Sequence, residues 1–502
     1  MLELFLNSYN KFSDRNAFCI KDIYYTYFQF AKIISKIRSE LENNCKNEKL
    51  IAIAAFETPD IETYASIYAC WFSGKGYVPM NPNNPLDRNV AMLNQTEIKT
   101  ILSNGDDDNI KLISKILKIN IINTRNLPEE ELNLDIPNVE ETDLAYILFT
   151  SGSTGIPKGV PITRGNVASM LDAFSQLNYN IDETDRFIQM FDLTFDFSVF
   201  CYAAPLSKGA CVYTVSSEGV KYANVYMTLE NYKITFACML PSILAYLRPY
   251  FSDIKLENVK YSLFCGEALF SDLATEWSRC IPNGKIINAY GPTEATVFCL
   301  VYDYNEKISE ASYNGILSIG QPMYKMDAII INEELQQVDK GVIGELCLAG
   351  AQLTSGYWNN PERNKEMFFK YKYKNIEKVF YRTGDLSFLN QNNFFMFVGR
   401  LDSQVKIQGF RIELGEIEHF TRVFTNLINV AAVAIKNKQD IMQIHLFVEN
   451  YSGSVSDIVN YLKTKIPNYM IPSSINIVNN FPINANGKVD RLKLINFIRL
   501  KD

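Results

Sequence analysis

Between residues 51 and 80 the hydrophobic period of the chain changes twice, which restricts the fold more than any other feature. Residues 51–55 (IAIAA) are an unbroken apolar run. Ile61, Tyr64, Ala65, Tyr68, Ala69 and Phe72 then recur at the spacing of one helix face, before a second apolar run at 77–80. Strand, amphipathic helix and strand make a βαβ unit, in which the crossover helix leaves the two strands parallel. The pattern returns as a run at 144–149, a loop, and a helix with Val167, Met170, Leu171, Phe174 and Leu177 on one face. Runs at 235–240, 261–265 and 285–289 follow, the last two ending in "GE" (266–267) and "YGPTE" (290–294). The expected fold is α/β, with doubly wound, mostly parallel sheets and a ligand crevice outside the carboxyl ends of the strands.

After "VGRLD" (398–402) the style shifts to short strands and helices: "QVKIQGFRIE", "LGEIEHFTRVF", "NVAAVAI", "QIHLFVEN" and a helix over 455–465. A boundary near Asp402 is expected, with a large domain over 1–401 and a small α+β domain over 402–502, a common size. No apolar stretch approaches the roughly 18 residues of a membrane span. A net charge of -7 offers no basic face for nucleic acid or anionic lipid. Residues 1–12 lack a basic n-region and a cleavage site, so a cytoplasmic location is expected. The 10 cysteines show no CxxC spacing and read as small buried hydrophobes. Only His419 and His445 are present, which argues against a hydrolase with a histidine base and against a multi-histidine metal centre. His419, beside Glu418 on an amphipathic stretch, reads as structural.

Chemistry is therefore sought in Lys, Arg, Asp, Glu and backbone groups. "TSGSTGIPKG" (150–159) gathers Thr150, Ser151, Gly152, Ser153, Thr154, Gly155 and Lys158 after the apolar run. Such a stretch is either a plain turn or a nest of N–H and hydroxyl donors for phosphate, aided by a following helix N-terminus and a mobile ammonium. Lys158 is followed by Gly159, so the GxxxxGK[ST] spacing of a P-loop is absent.

"LAYILFTSGSTGIPKGV" resembles the signature of the adenylate-forming superfamily, which includes acyl-CoA synthetases, luciferases, peptide-synthetase adenylation domains and D-alanine–carrier protein ligases. The resemblance continues in order through "NAYGPTEATV" (288–297), "GELCLAGAQLTSGYWNNPE" (344–362), "YRTGDL" (381–386), "GRLDSQVKIQGFRIELGEIE" (399–418) and "NANGKVDR" (484–491). It implies ATP and Mg²⁺ as cofactors. Tyr290 would lie against adenine, Thr293 at the phosphates, Glu294 on Mg²⁺, and Asp385 on the ribose hydroxyls near Arg400. Gly266, Glu267, Ala268, Asn288, Ala289 and Gly291 would complete the nucleotide site. Taken on their residues alone, "NAYGPTE" is equally a Gly-Pro turn, Asp385 a turn or cap residue, and Lys488 an exposed lysine after an Asn-Gly turn. The resemblance makes Lys488 the catalytic cation between substrate carboxylate and α-phosphate, where charge repulsion must be reduced. It also makes Asp402 the hinge about which the small domain exchanges the Lys488 loop for the "QVKIQGFRIE" face.

In amino-acid-activating members an Asp at the position of Asp196 ("FDLTFDFSVF", 191–200) pairs with the substrate ammonium; read alone, Asp196 is a helix N-cap candidate. Phe197, Phe200, Met239, Leu263, Cys265, Ala289, Val297 and Phe298 are the implied pocket, which is apolar and crowded. A small apolar amino acid is expected, with proline and alanine, of either hand, foremost. The chain holds no Gly-Gly pair and hence no GGxS carrier motif, and no HHxxxDG condensation motif. A free-standing ligase is thus expected, which loads the phosphopantetheine arm of a separate carrier protein in natural-product assembly. The alternatives are D-alanylation of cell-envelope polymer and an acyl- or aryl-CoA synthetase.

Overall fold

The computed structural model describes residues 1–56, 59–152, 155–305, 311–402, 404–427, 429–482 and 489–500. A six-stranded sheet runs Asn120–Asn123, Thr100–Ser103, Leu50–Ala54, Gly76–Met80, Leu144–Thr150, Lys158–Thr163. Its pairs are parallel until the last, which is antiparallel. A nine-stranded sheet has a parallel interior, with Arg186–Gln189, Phe236–Met239, Tyr261–Phe264 and Lys285–Tyr290 as successive neighbours, and antiparallel strands at both edges. These are the expected doubly wound sheets of an α/β protein.

The helix Ile61–Phe72 starts at an Asp60 cap that accepts from the Thr63 amide at 3.1 Å. Periodicity gave it one apolar face, yet every residue except Glu62 is buried. The reason is its place between the two sheets: Tyr64 meets Phe18 of the nine-stranded sheet at 4.7 Å between ring centroids, and Trp71 meets Tyr77 of the six-stranded sheet at 6.0 Å. Helix Phe197–Leu206 is likewise buried at all positions, and its Tyr202 hydroxyl reaches that of Tyr77 at 2.8 Å. Each aromatic so buried contributes about 1.5–3 kcal/mol.

An antiparallel five-stranded sheet over Met326–Ile331, Gly344–Gly350, Phe368–Tyr373, Ile376–Leu389 and Phe395–Arg400 follows. Beyond Asp402 come the hairpin Gln404–Ile407/Phe410–Glu413, helix Leu414–Thr425, and a three-stranded sheet of Val430–Lys436, Met442–Glu449 and Ser474–Val478. Two apolar clusters are built wholly from this region, one around Ile412, Ile417, Leu446 and Ile458, the other around Ala431, Val433, Phe447 and Leu494. All ten cysteines are free and buried. Among the described residues no helix is long and apolar enough to cross a membrane.

One expectation is corrected. The 151–157 loop does not run from a strand into a helix. It joins two antiparallel strands in which Thr150 pairs with Lys158, and the helix Arg164–Ser175 starts only after the second of them. "KGVPIT" is a strand buried on both faces, with all four of Gly159–Ile162 buried. The N-terminus of helix Arg164–Ser175 is therefore not the one that faces the loop; Ser151 instead accepts from the amide of Glu413, the N-cap residue of helix Leu414–Thr425.

Candidate active site

The carboxyl ends of Phe236–Met239, Tyr261–Phe264 and Lys285–Tyr290 open onto a cavity of about 770 Å³. Its walls include Gly266, Glu267, Ala268, Asn288, Ala289, Tyr290, Asp385, Arg400 and Asp402, so residues 136 positions apart share one space. Asp385 is buried; its oxygens accept from the Tyr290 hydroxyl and from Arg400 Nη1. Arg400 also forks onto Asp402, Nε to Oδ1 at 2.7 Å and Nη2 to Oδ2 at 2.9 Å. Burial opposes ionisation of Asp402, but this guanidinium holds its carboxyl below the usual range. Gly291 is required by close approach, since a Cβ there would lie 2.4 Å from Phe298 Cα.

Two buried carboxylates, Asp196 and Glu294, are within electrostatic reach of one another near the Thr293–Ala295 turn. Asp196 precedes helix Phe197–Leu206 but has helical angles and makes no capping bond, so the N-cap reading fails. Burial raises its pKa to about 6, against the Thr293 hydroxyl and the Lys406 ammonium, which favour the anion. Phe197, Phe200, Met239, Leu263, Cys265, Ala289, Val297 and Phe298 are all buried. The Phe200 and Phe298 rings meet edge to face at 4.9 Å, and Phe298 also abuts Phe197 at 6.3 Å. Thr296 and Val297 have φ of 54° and 73°, a left-handed pair that is strained for a β-branched valine. Gln352 holds it: its carbonyl accepts from the Thr296 hydroxyl at 2.6 Å and its Nε2 donates to the Phe298 carbonyl at 3.1 Å. Nothing in the local sequence signals this turn.

The 404–413 hairpin covers the loop side of the site. Ser151 Oγ donates to the Arg411 carbonyl at 2.7 Å and accepts from the Glu413 amide at 3.1 Å. Lys158 Nζ lies 3.3 Å from Glu413 Oε1; burial lowers its pKa, partly offset by that carboxylate. Arg411 Nη1 is 2.9 Å from both oxygens of Glu294, and the Tyr357 hydroxyl donates to Glu294 Oε1 at 2.6 Å. Burial works against the Glu294 anion, yet Arg411 and the tyrosine hydroxyls overcome it and hold the pKa at about 2. Glu267 bridges the amides of Ser242 at 2.9 Å and Gly409 at 3.0 Å. Gly409 has φ of 82°, and a Cβ there would lie 2.7 Å from Leu240. Arg88 and Glu416, both buried, pair at 2.6 Å.

Arg411, Glu413, Lys406 and Arg88 were absent from the expected site. The first three lie in a motif whose wording was visible; no signal pointed to Arg88. Lys406 Nζ stands 5.8 Å from the centroid of the Tyr290 ring. Lys488, Ser153 and Thr154 lie outside the described residues. His419 packs with Phe420 against Gly155. Among the described residues no cluster of three or more His, Cys, Asp or Glu could hold a metal.

Residues 5–358 match the family described as AMP-binding enzyme. The zwittermicin A synthase ZmaJ of Bacillus cereus is 30% identical over 447 residues, which is 86% of this chain and 82% of that protein. The chain belongs to the AMP-binding enzyme family. Tyrocidine synthase 1 of Brevibacillus parabrevis is 28% identical over 98% of the chain, which spans only 44% of that protein. Among solved members with this fold, the Vibrio cholerae adenylation domain AlmE in complex with glycyl-adenosine-5'-phosphate superposes with a TM-score of 0.86. It is 23% identical and covers 99% of this chain and 97% of its own.

Proposed function

We propose that the chain uses ATP to activate a small apolar amino acid as aminoacyl-AMP and then transfers the acyl group to the phosphopantetheine thiol of a separate carrier protein. The observation that carries this reading is Asp196, a buried carboxylate within electrostatic reach of Lys406, which lines the cavity, and set among buried aromatic and aliphatic residues. A buried anion in such a setting is the complement of a substrate ammonium. The Phe197, Phe200 and Phe298 rings pack on one another, and such crowding favours a short side chain, which supports alanine or proline.

In this reading Tyr290 and Asp385 take adenosine, with Arg400 orienting the Asp385 carboxylate. The ammonium of Lys488 would neutralise the approach of substrate carboxylate to α-phosphate. Glu294 is the carboxylate that the resemblance assigns to Mg²⁺. Here both its oxygens accept from Arg411, so a cation would be pressed against a guanidinium, and the donor set does not fit Mg²⁺ in this arrangement. The small domain, hinged at Asp402, would instead present the face suited to the second half-reaction, with Lys406 in the crevice.

Amino-acid-dependent ATP–pyrophosphate exchange, run against the proteinogenic amino acids, D-alanine and simple carboxylic acids, tests the proposal. Strongest exchange with an acid lacking an amino group would overturn the role of Asp196. Phe298→Ala should move preference towards larger side chains, by about 10–200-fold per methylene accommodated, measured as relative kcat/KM. Because burial holds Asp196 near pH 6 and the ammonium substrate needs its anion, kcat/KM should climb with pH up to about 6 and level off above it. A profile that is flat from pH 5 to 7.5 would contradict the pairing.

A further inference from the structure

We infer that the buried hydroxyls of Tyr146 and Ser198 share one enclosed water with the Asp196 carboxylate, and so are positioning residues that keep Asp196 the anion a substrate ammonium requires. The inference deepens the proposed function and rests on the pairing of Asp196 with that ammonium. Both side chains are 0% exposed, yet among the described residues neither hydroxyl has a hydrogen-bond partner. Buried polar groups are almost always satisfied, by protein or by ordered water, because an orphaned hydroxyl has given up its solvent for nothing.

Two elements bring these hydroxyls to one place. Tyr77 and Tyr146 are register partners on adjacent parallel strands, so their side chains leave the same face of the six-stranded sheet, with ring centroids 5.7 Å apart. That face meets helix Phe197–Leu206, where the Tyr77 hydroxyl lies 2.8 Å from that of Tyr202. Ser198 stands one helical turn before Tyr202, on the same side of the helix, and Asp196 immediately precedes the helix. Tyr146 is within electrostatic reach of Tyr77, Tyr202 and Asp196, which sets its hydroxyl beside the first turn of the helix, where Ser198 is. A single water there can accept from one hydroxyl while it donates to the other and to a carboxylate oxygen. The other groups that face Asp196 are Thr293, Glu294, Lys406, Cys265 and the Phe197 amide. Glu294 opposes its anion, Thr293, Lys406 and the amide favour it, and burial keeps Cys265 and Tyr146 protonated. Lys406 belongs to the 404–413 hairpin, whereas Tyr146 and Ser198 belong to the sheet and helix of the large domain, so their support does not depend on where the hairpin stands.

The test is the pH dependence of Tyr146→Phe, which removes the oxygen and keeps the ring. Donation to a carboxylate favours its anion, so loss of the hydroxyl should raise the pH at which kcat/KM levels off, from about 6, by about one unit. The ratio of kcat/KM at pH 8 to that at pH 6 should then grow about fivefold, and Ser198→Ala should move the profile the same way by about half as much. In an Asp196→Asn background, Tyr146→Phe should alter that ratio by about 1.5-fold or less, because there is no carboxylate left to act through. Infrared difference titration of the protonated Asp196 carboxyl, identified by its loss in Asp196→Asn, should show the same upward shift without amino acid. An unshifted profile or band, or an equal effect in the Asp196→Asn background, would overturn the inference. A hydroxyl that merely stands orphaned gives another result, a higher thermal midpoint for Tyr146→Phe with both titrations in place, and this too would overturn it. The infrared readout needs no substrate: a chain that activates no amino acid would sink the proposed function and leave the inference to be judged on the band alone.

Discussion

Lys488→Ala is expected to reduce amino-acid-dependent pyrophosphate exchange about 10²–10³-fold, while transfer from preformed aminoacyl-AMP to a carrier thiol falls by no more than a few fold. Adenylation joins a carboxylate to an anionic phosphorus. A preorganised cation between them acts where charge develops, and its removal leaves the repulsion in the transition state. Thiol attack on the finished adenylate meets no such pair of anions. With the 404–413 hairpin docked, the cations at the crevice include Lys406, Arg411, Lys158 and Arg400. Helix Arg491–Arg499, which follows the Lys488 segment, is tied to the small domain itself through Arg491 and Glu418 at 2.7 Å. Single-turnover transfer and exchange are measured separately; equal loss of both would refute a division of labour between the two faces.

The second large effect is expected at Asp196. Asp196→Ala should lower kcat/KM for the preferred amino acid about 10²–10³-fold, because an ammonium buried without its counter-charge costs about 3–5 kcal/mol. The same substitution should leave the fold intact and raise its thermal midpoint, since it removes a carboxylate that burial disfavours. A des-amino acid of similar shape should gain on the amino acid in relative rate. If kcat/KM were unchanged while the midpoint moved, Asp196 would be a structural carboxylate and the substrate reading would fail.

The βαβ unit over 51–80, the strand-end loops and the ordered motifs were legible because each depends on neighbours within a few residues. What was missed depends on distance along the chain. Helix Ile61–Phe72 reads as one-faced, and only its position between two sheets explains the burial of every residue but Glu62. "KGVPIT" becomes a strand because Leu144–Thr150 stands beside it. Arg411 and Glu294 are 117 positions apart and Arg88 and Glu416 are 328 apart, separations that no local period records. The left-handed turn at Thr296–Val297 is held by Gln352, more than fifty positions downstream, and carries no glycine to announce it.

The burial of every cysteine has a chemical consequence for a mixed anhydride made in this crevice. An acyl phosphate ester is open to capture by any thiolate within reach. Cys265 directly precedes Gly266 of the cavity wall, but burial pushes its thiol up to about 12, so it stays protonated and unreactive near neutrality. Self-acylation is thereby suppressed, and the activated acid is preserved for a visiting nucleophile.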